Sequence, residues 1–186
     1  MTLESENTPY SRSQFQSAMR QTRTLSGINL SGADLSGMRL AGLRLDGANL
    51  SEVNLQNTII AGTELGGANL SGANLHRAIL LGVNLGGCDC RGTQFAQSRF
   101  IGVNWTDADA TSADLSGCKF GSVNVSGTDF SQAITTGARS RITDWAGAKE
   151  QPIPLPTPLA PTAPKLLAIF LGVSLLLFVI RRLRQK

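Results

Sequence analysis

Histidine, tyrosine and charge are what this sequence has least of. Its 186 residues include one histidine (His76), one tyrosine, two tryptophans and three cysteines, and charged residues make up only 16% of the chain. Soluble domains average about 25% charged residues, so this surface is built largely from neutral polar groups. A single histidine leaves no zinc pattern and no paired imidazole chemistry. Three cysteines are too few for a disulfide scaffold. At 41% apolar residues the chain is too hydrophobic to be a disordered polyelectrolyte. Its 20 glycines do not recur every third residue, which excludes collagen. No base stands beside a serine or cysteine to activate it, so the chain is read as non-enzymatic, with no cofactor and no metal.

The net charge of +4 conceals an uneven distribution. Residues 26–135 hold six basic and nine acidic groups, whereas residues 136–186 hold eight basic and two acidic groups. The basic character therefore belongs to the tail. A basic tail beside an apolar run points to a membrane surface before it points to nucleic acid.

Internal repetition dominates the middle of the chain, with a period of five. Multiples of five read Leu25, Leu30, Leu35, Leu40 and onward through Ile60, Cys90, Phe95, Phe100 and Trp105 to Phe130. Two residues before most centres stands a small residue, such as Ala33, Ala48, Ala68 or Ala113. Between them Asn or Asp is usual, as at Asn29, Asp34, Asn49 and Asn74. Two residues after the centre, 14 of the 22 positions from Gly27 to Gln132 are glycine. Helices repeat at 3.6 residues and strands at 2, so neither fits alone. A period of five fits one short extended side followed by a corner. The small residue and the centre then point inward, the Asn or Asp points outward, and Gly permits positive φ at the corner.

AlaAspLeu at 33–35 and 113–115, and AlaAsnLeu at 48–50, 68–70 and 73–75, carry the pattern A-(D/N)-L-x-x. It resembles the pentapeptide-repeat family over roughly residues 26–135. That resemblance implies an all-β solenoid, a right-handed quadrilateral β-helix of about five and a half coils with twenty residues per coil. Ile59, Ile79 and Ile134 stand where Asn or Asp is usual, and Met38 and Leu43 where a small residue is usual.

Open ends of such a solenoid need caps. Residues 1–25 form the N-terminal tail and cap: 1–10 read as disordered, and Phe15, Ala18 and Met19 share one face of a short helix within 11–24. Ile142 and Trp145 mark a C-terminal cap over 136–150. Six of the seven prolines fall in 151–164, which reads as an extended linker. Leu166 to Ile180 follow without a charge and are flanked by Lys165 and Arg181. Residues 165–183 are thus expected to form one transmembrane helix, a single-pass anchor entering the bilayer through 166–180, with a basic tail at 184–186. The positive-inside rule would put the β-helix outside, but residues 1–25 show no signal peptide, so a cytoplasmic β-helix is expected.

Cys88 and Cys118 are thirty residues apart, one and a half coils, so they face opposite sides and read as buried free thiols. The four sides differ on their outward faces. One bears Asn29, Asn49, Asn69, Asp89, Asp109 and Asp129 and turns acidic. The side centred on Leu40 to Phe120 carries Arg39, Ile59, Ile79, Arg99 and Lys119, with Leu81 and Ile101 at the corners after the centres, and no acidic residue. A contiguous apolar patch rimmed by Arg and Lys reads as a binding surface. Arg39, Ile59, Ile79, Leu81, Arg99, Ile101 and Lys119 are therefore the candidate partner-binding residues.

These features describe a membrane-tethered interaction module, a scaffold or assembly factor of a membrane complex. Its expected partners are a membrane protein or membrane-associated complex and the lipid bilayer; neither nucleic acid nor a small-molecule ligand is expected. The family's abundance in cyanobacteria and photosynthetic organelles implies a thylakoid or plasma membrane of a photosynthetic bacterium. The alternative comes from quinolone-resistance members of the family, which mimic DNA: an inhibitor of a nucleic-acid enzyme such as gyrase. Asp89, Asp109 and Asp129 would have to supply that mimicry.

Overall fold

The computed structural model describes residues 8–141, 143–152 and 154–158. From Thr24 the backbone returns to the same place every twenty residues. Thr24 bridges Arg44, Asn29 bridges Asn49, Asp34 bridges Asn54, and Arg39 pairs with Ile59, all in parallel. Four ladders therefore run up an all-parallel β-solenoid of about six coils, with one short helix at its start. The sixth coil extends the stack past the residue-135 end that the periodicity indicates. Its centres are the polar Thr135 and Ser140, which break the run of apolar centres but remain buried.

The residue types explain three of the sides. Asn or Asp before the centre accepts a hydrogen bond from the backbone N–H two residues on: Ser51 to Asn49 (3.2 Å), Ser71 to Asn69 (2.9 Å), Thr111 to Asp109 (2.9 Å) and Ser131 to Asp129 (2.9 Å). This Asx turn fixes the entry to the corner. The carbonyl of the centre then accepts from the N–H three residues on, as in Ala48 to Leu45 (3.0 Å) and Ala73 to Leu70 (3.0 Å). Corners lie at positive φ even without glycine, as at Glu52 (56°) and Arg77 (57°), because the ladders above and below hold them there.

The fourth side is built differently. Among the described residues no such three-residue turn bond follows its centres. Instead it runs extended through three residues in every coil: β1 (Arg39–Ala41), β2 (Ile59–Ala61), β3 (Ile79–Leu81), β4 (Arg99–Ile101), β5 (Lys119–Gly121) and β6 (Arg139–Arg141). With β7 (Thr157–Pro158) they form one parallel sheet in sequential order. Arg, Ile and Lys carry no acceptor that could cap the next N–H, and β-branched and apolar residues favour extended backbone.

Inside, the N-terminal coils stack leucines and the C-terminal coils stack rings. Phe95, Phe100 and Trp105 lie with centroids 5.2–5.3 Å apart, and Phe100 stacks on Phe120 at 5.0 Å. Buried Thr63, Cys88, Thr93, Ser98 and Cys118 each donate to the carbonyl of a centre twenty-three residues earlier, at 2.6–3.2 Å. At these five small positions the hydroxyl or thiol is therefore satisfied, whereas the buried Thr143 hydroxyl in the last coil finds no partner among the described residues.

Both ends are closed. Helix α1 (Arg12–Gln21) starts with a capping box between Ser11 and Gln14 and inserts Phe15, fully buried, into the first coil. Residues 8–10 continue the stack: the Tyr10 N–H donates to the Asn29 carbonyl at 2.8 Å, so this part of the N-terminal tail is ordered, not disordered as its composition implies. At the other end Trp145 packs against Phe120 and Phe130 and donates from Nε1 to Ser140 Oγ at 3.2 Å. The start of the proline-rich segment joins this cap and is no free linker: Pro152 and Pro156 are buried, the Thr135 hydroxyl donates to the Pro154 carbonyl, and the Thr157 N–H donates to Ala138 (3.0 Å). Ile142, residues 159–164, the expected transmembrane helix at 165–183 and the tail at 184–186 lie outside the described residues. Among the described residues no helix is long and apolar enough to cross a membrane.

Candidate functional site

The sheet side aligns the candidate residues in two columns. Arg39 pairs with Ile59, Ile59 with Ile79, Ile79 with Arg99, Arg99 with Lys119, and Lys119 with Arg139. Beside them run Ala41, Ala61, Leu81, Ile101, Gly121 and Arg141. All seven candidates thus share one face. Ile59, Ile79 and Leu81 shield one another and are half-buried, while Ile101 is 42% exposed. The apolar area is smaller than unshielded side chains would present, and the most exposed large apolar residue among those described is Ile134 (53%), on another side.

Two residues join this face that the periodicity does not mark. Arg139 and Arg141 sit on β6, next to Lys119 and Gly121. The signal for them was present in Gly137, which keeps the corner position and has φ +72°. Gly121 leaves a depression of about 340 Å3 between Ile101 and Arg141, bordered by Arg99 and Lys119. No ion pair among the described residues engages Arg39, Arg99, Lys119 or Arg139.

The acidic column has a different electrostatic character. Arg91 bonds Asp89 at 2.6 Å and lies 3.8 Å from Asp109, and Lys149 lies 3.2 Å from Asp129. The Arg91 hydrogen bond holds the Asp89 carboxyl below its ordinary value, and the Ser131 hydroxyl and N–H, with Lys149, do the same for Asp129. Arg91 and Lys149 thus offset part of the charge of Asp89, Asp109 and Asp129, and Glu150, bridged to Asp129, extends the column.

The thiols are closed to chemistry. Cys88, Cys90 and Cys118 are buried and free. The neighbouring Cys88 and burial push the Cys90 thiol up, and burial pushes Cys118 up to about 12. Neither is a thiolate nucleophile near neutral pH. Among the described residues no group of His, Cys, Asp and Glu could hold a metal ion.

Residues 28–63, 60–89 and 88–127 match the family model for pentapeptide repeats (8 copies). This chain belongs to the pentapeptide repeat family. Pentapeptide repeat proteins are generally non-enzymatic and mediate protein–protein interactions. No curated protein sequence matches significantly. Among solved structures, a trypsin-treated form of QnrB1, a plasmid-mediated fluoroquinolone resistance protein, is similar with a TM-score of 0.62 at 22% identity, covering 68% of this chain and 67% of that one. A pentapeptide repeat protein from the Arabidopsis thaliana thylakoid lumen is 29% identical, with a TM-score of 0.49 over 50% of this chain and 66% of that one. HetL, involved in heterocyst differentiation regulation in the cyanobacterium Nostoc sp. strain PCC 7120, is 27% identical with a TM-score of 0.47, covering 68% of this chain and 59% of that one. The pentapeptide repeat chain described here therefore spans about two thirds or less of each of these structures, and the likeness is one of fold.

Proposed function

We propose that this pentapeptide repeat protein is a membrane-tethered interaction module that holds an acidic protein surface of a membrane-associated complex against its sheet side. The observation that carries the reading is the contrast among the four sides. Among the described residues only the sheet side is free of carboxylates, and it combines in-register Ile59 and Ile79 with Arg39, Arg99 and Lys119, which no ion pair among those residues engages. An apolar centre with a charged rim is how protein interfaces gain both contact and orientation. The tether is residues 166–180, an uncharged run long enough to enter a bilayer when its flanking Lys165 and Arg181 reach the headgroups. A rod on a short tether raises the effective concentration of partners at that membrane. The pairing of Asp89 and Asp129 with Arg91 and Lys149 weighs against DNA mimicry, which needs an unbroken acidic face.

Ile59→Asn with Ile79→Asn restores the repeat's usual outward residue. The double variant is expected to release the partner that full-length protein retains from mild-detergent membrane extracts. Asn69→Ala with Asn74→Ala, on other sides, should retain it. Equal retention by both variants would remove the sheet side from the reading. Extraction of the full chain from membranes by alkaline carbonate would remove the tether. Inhibition of gyrase supercoiling by the full chain would favour the DNA-mimic alternative.

A further inference from the structure

Docking of α1 onto the first coil creates a site that the repeat pattern does not contain. The helix and the coil border an open cleft of about 690 Å3 lined by Arg12, Arg20, Arg23 and Arg39 together with Met19 and Met38. No aspartate or glutamate is among its described lining residues. Arg12 donates from Nη1 to the Ser36 carbonyl at 3.0 Å and lies 3.4 Å from that of Asp34, and Arg23 Nη1 lies 3.4 Å from the Ala41 carbonyl. Backbone carbonyls thus hold two guanidinium groups in place while most of their N–H donors stay available. Arg20 stands in the last turn of α1, where the helix dipole favours a cation. Neither Arg20 nor Arg39 forms an ion pair among the described residues. The Asp34 carboxylate, held ionised by the Ser36 N–H and hydroxyl and in smaller part by Arg12, offsets part of the Arg12 charge, so Arg20, Arg23 and Arg39 carry most of the uncompensated charge.

We propose that this cleft binds a small anion bearing a diphosphate group. Several like charges brought into one cleft repel, and a compact multivalent anion relieves that repulsion better than single carboxylates do. Planar guanidinium groups match phosphate oxygens bidentately, which lysines would not. Met19 and Met38 add a polarizable apolar floor on which the non-phosphate part of a ligand can rest. The composition hides such a site from view, because three of the arginines come from the N-terminal cap and one from the first coil. The inference is independent of the sheet-side reading: Ile59→Asn with Ile79→Asn leaves the cleft intact, although Arg39 heads that column.

The test is calorimetric titration of the full-length protein in detergent micelles with inorganic phosphate, pyrophosphate and ADP. Pyrophosphate is expected to bind about tenfold or more tightly than phosphate, with affinity falling as salt rises. Arg20→Gln with Arg39→Gln should weaken pyrophosphate binding about tenfold or more, whereas Arg20→Lys with Arg39→Lys should restore only part of it. Arg77→Gln, on a distant corner, should change nothing. Circular dichroism melting of each variant separates lost binding from lost folding. ADP binding more tightly than pyrophosphate, with Met19→Ala erasing only that gain, identifies a nucleotide source; equal affinities identify pyrophosphate itself. Absence of pyrophosphate binding, equal loss in Arg77→Gln, or unchanged binding in the folded Gln double variant would overturn the proposal.

Discussion

The sheet side and the three turn sides share one core, one rise per coil and one corner conformation, yet they present opposite chemistry to solvent. On the turn sides Asn and Asp spend their side chains on the backbone, as Asn69 does with the Ser71 N–H. Those groups are partly used up by the fold, which leaves a neutral polar surface. On the sheet side the strands pair through the ladder, and no outward Asn or Asp side chain caps the backbone. The outward side chains of β1 to β6 are thereby released from structural duty and can be Arg, Ile or Lys. A repeat fold of this kind places variable surface where it can do without Asx turns.

The largest expected effect tests the core that both kinds of side share. Phe100, the inward residue of β4, stacks between Trp105 (5.2 Å) and Phe120 (5.0 Å). Phe100→Ala should destabilise the solenoid by about 3–5 kcal/mol, read from denaturant unfolding. Next come the corners, which the comparison holds to be equivalent. Gly62, after β2, and Gly67, on a turn side, have φ of +54° and +63°, and a Cβ added at either would meet nothing within 4 Å. Gly62→Ala and Gly67→Ala should each cost about 1–2 kcal/mol, from the left-handed backbone alone. A clear difference between them would show that the corners are not alike.

Smaller effects separate the two outward faces. Asn69→Ala removes an Asx turn and should cost about 1 kcal/mol. Ile79→Asn, on the sheet side, should stay within about 0.5 kcal/mol of the parent. If Ile79→Asn is as costly as Asn69→Ala, the sheet side is structural rather than free.

The smallest effect concerns acid. Asp34, Asp89 and Asp129 all ionise below their ordinary value of 3.8, through the Ser36 N–H, the Arg91 side chain and the Ser131 hydroxyl respectively. A carboxyl whose folded value is depressed adds stability above the unfolded value and loses it as pH falls through the folded value. Melting temperature should therefore be insensitive to these groups at neutral pH and drop as pH goes below about 3.8. Asp89→Asn should flatten part of that drop. The groups are largely exposed, so screening keeps the effect small.

Much of this architecture was legible in the residues. A period of five with inward Leu and Ala, outward Asn and Asp, and corner Gly leaves few arrangements that bury the apolar centres, and the four-ladder solenoid is one of them. Phe15 was readable as a cap because its helical face has no partner other than the open end. The sixth coil was harder to read, since Thr135 and Ser140 replace apolar centres, although Gly137 at the corner and the inward Ala138 preserve the rhythm. The docking of Pro152 and residues 154–158 onto the end of the stack was not readable at all, because proline-rich sequence carries no periodic signal and the parallel pairing of β7 with β6 depends on an edge that exists only once the solenoid has formed. The candidate face was found from residues that depart from the repeat, but the departures alone could not tell half-buried Ile59 and Ile79 from the more exposed Ile101.

By itself the sequence determined the coil, the inward and outward positions and the four columns of side chains, because a strict period leaves each residue type only one place that satisfies both its hydrophobicity and its backbone preference. Tertiary structure decided what the period cannot express. Stacking of one coil on the next made the side through Leu40 and Phe120 a continuous sheet, closed the far end with Trp145 and β7, offset part of the acidic column with Arg91 and Lys149, and brought the arginines of α1 against Arg39. Each of these depends on groups distant in sequence meeting across a ladder or an end, and such meetings are set by packing and charge in the assembled rod.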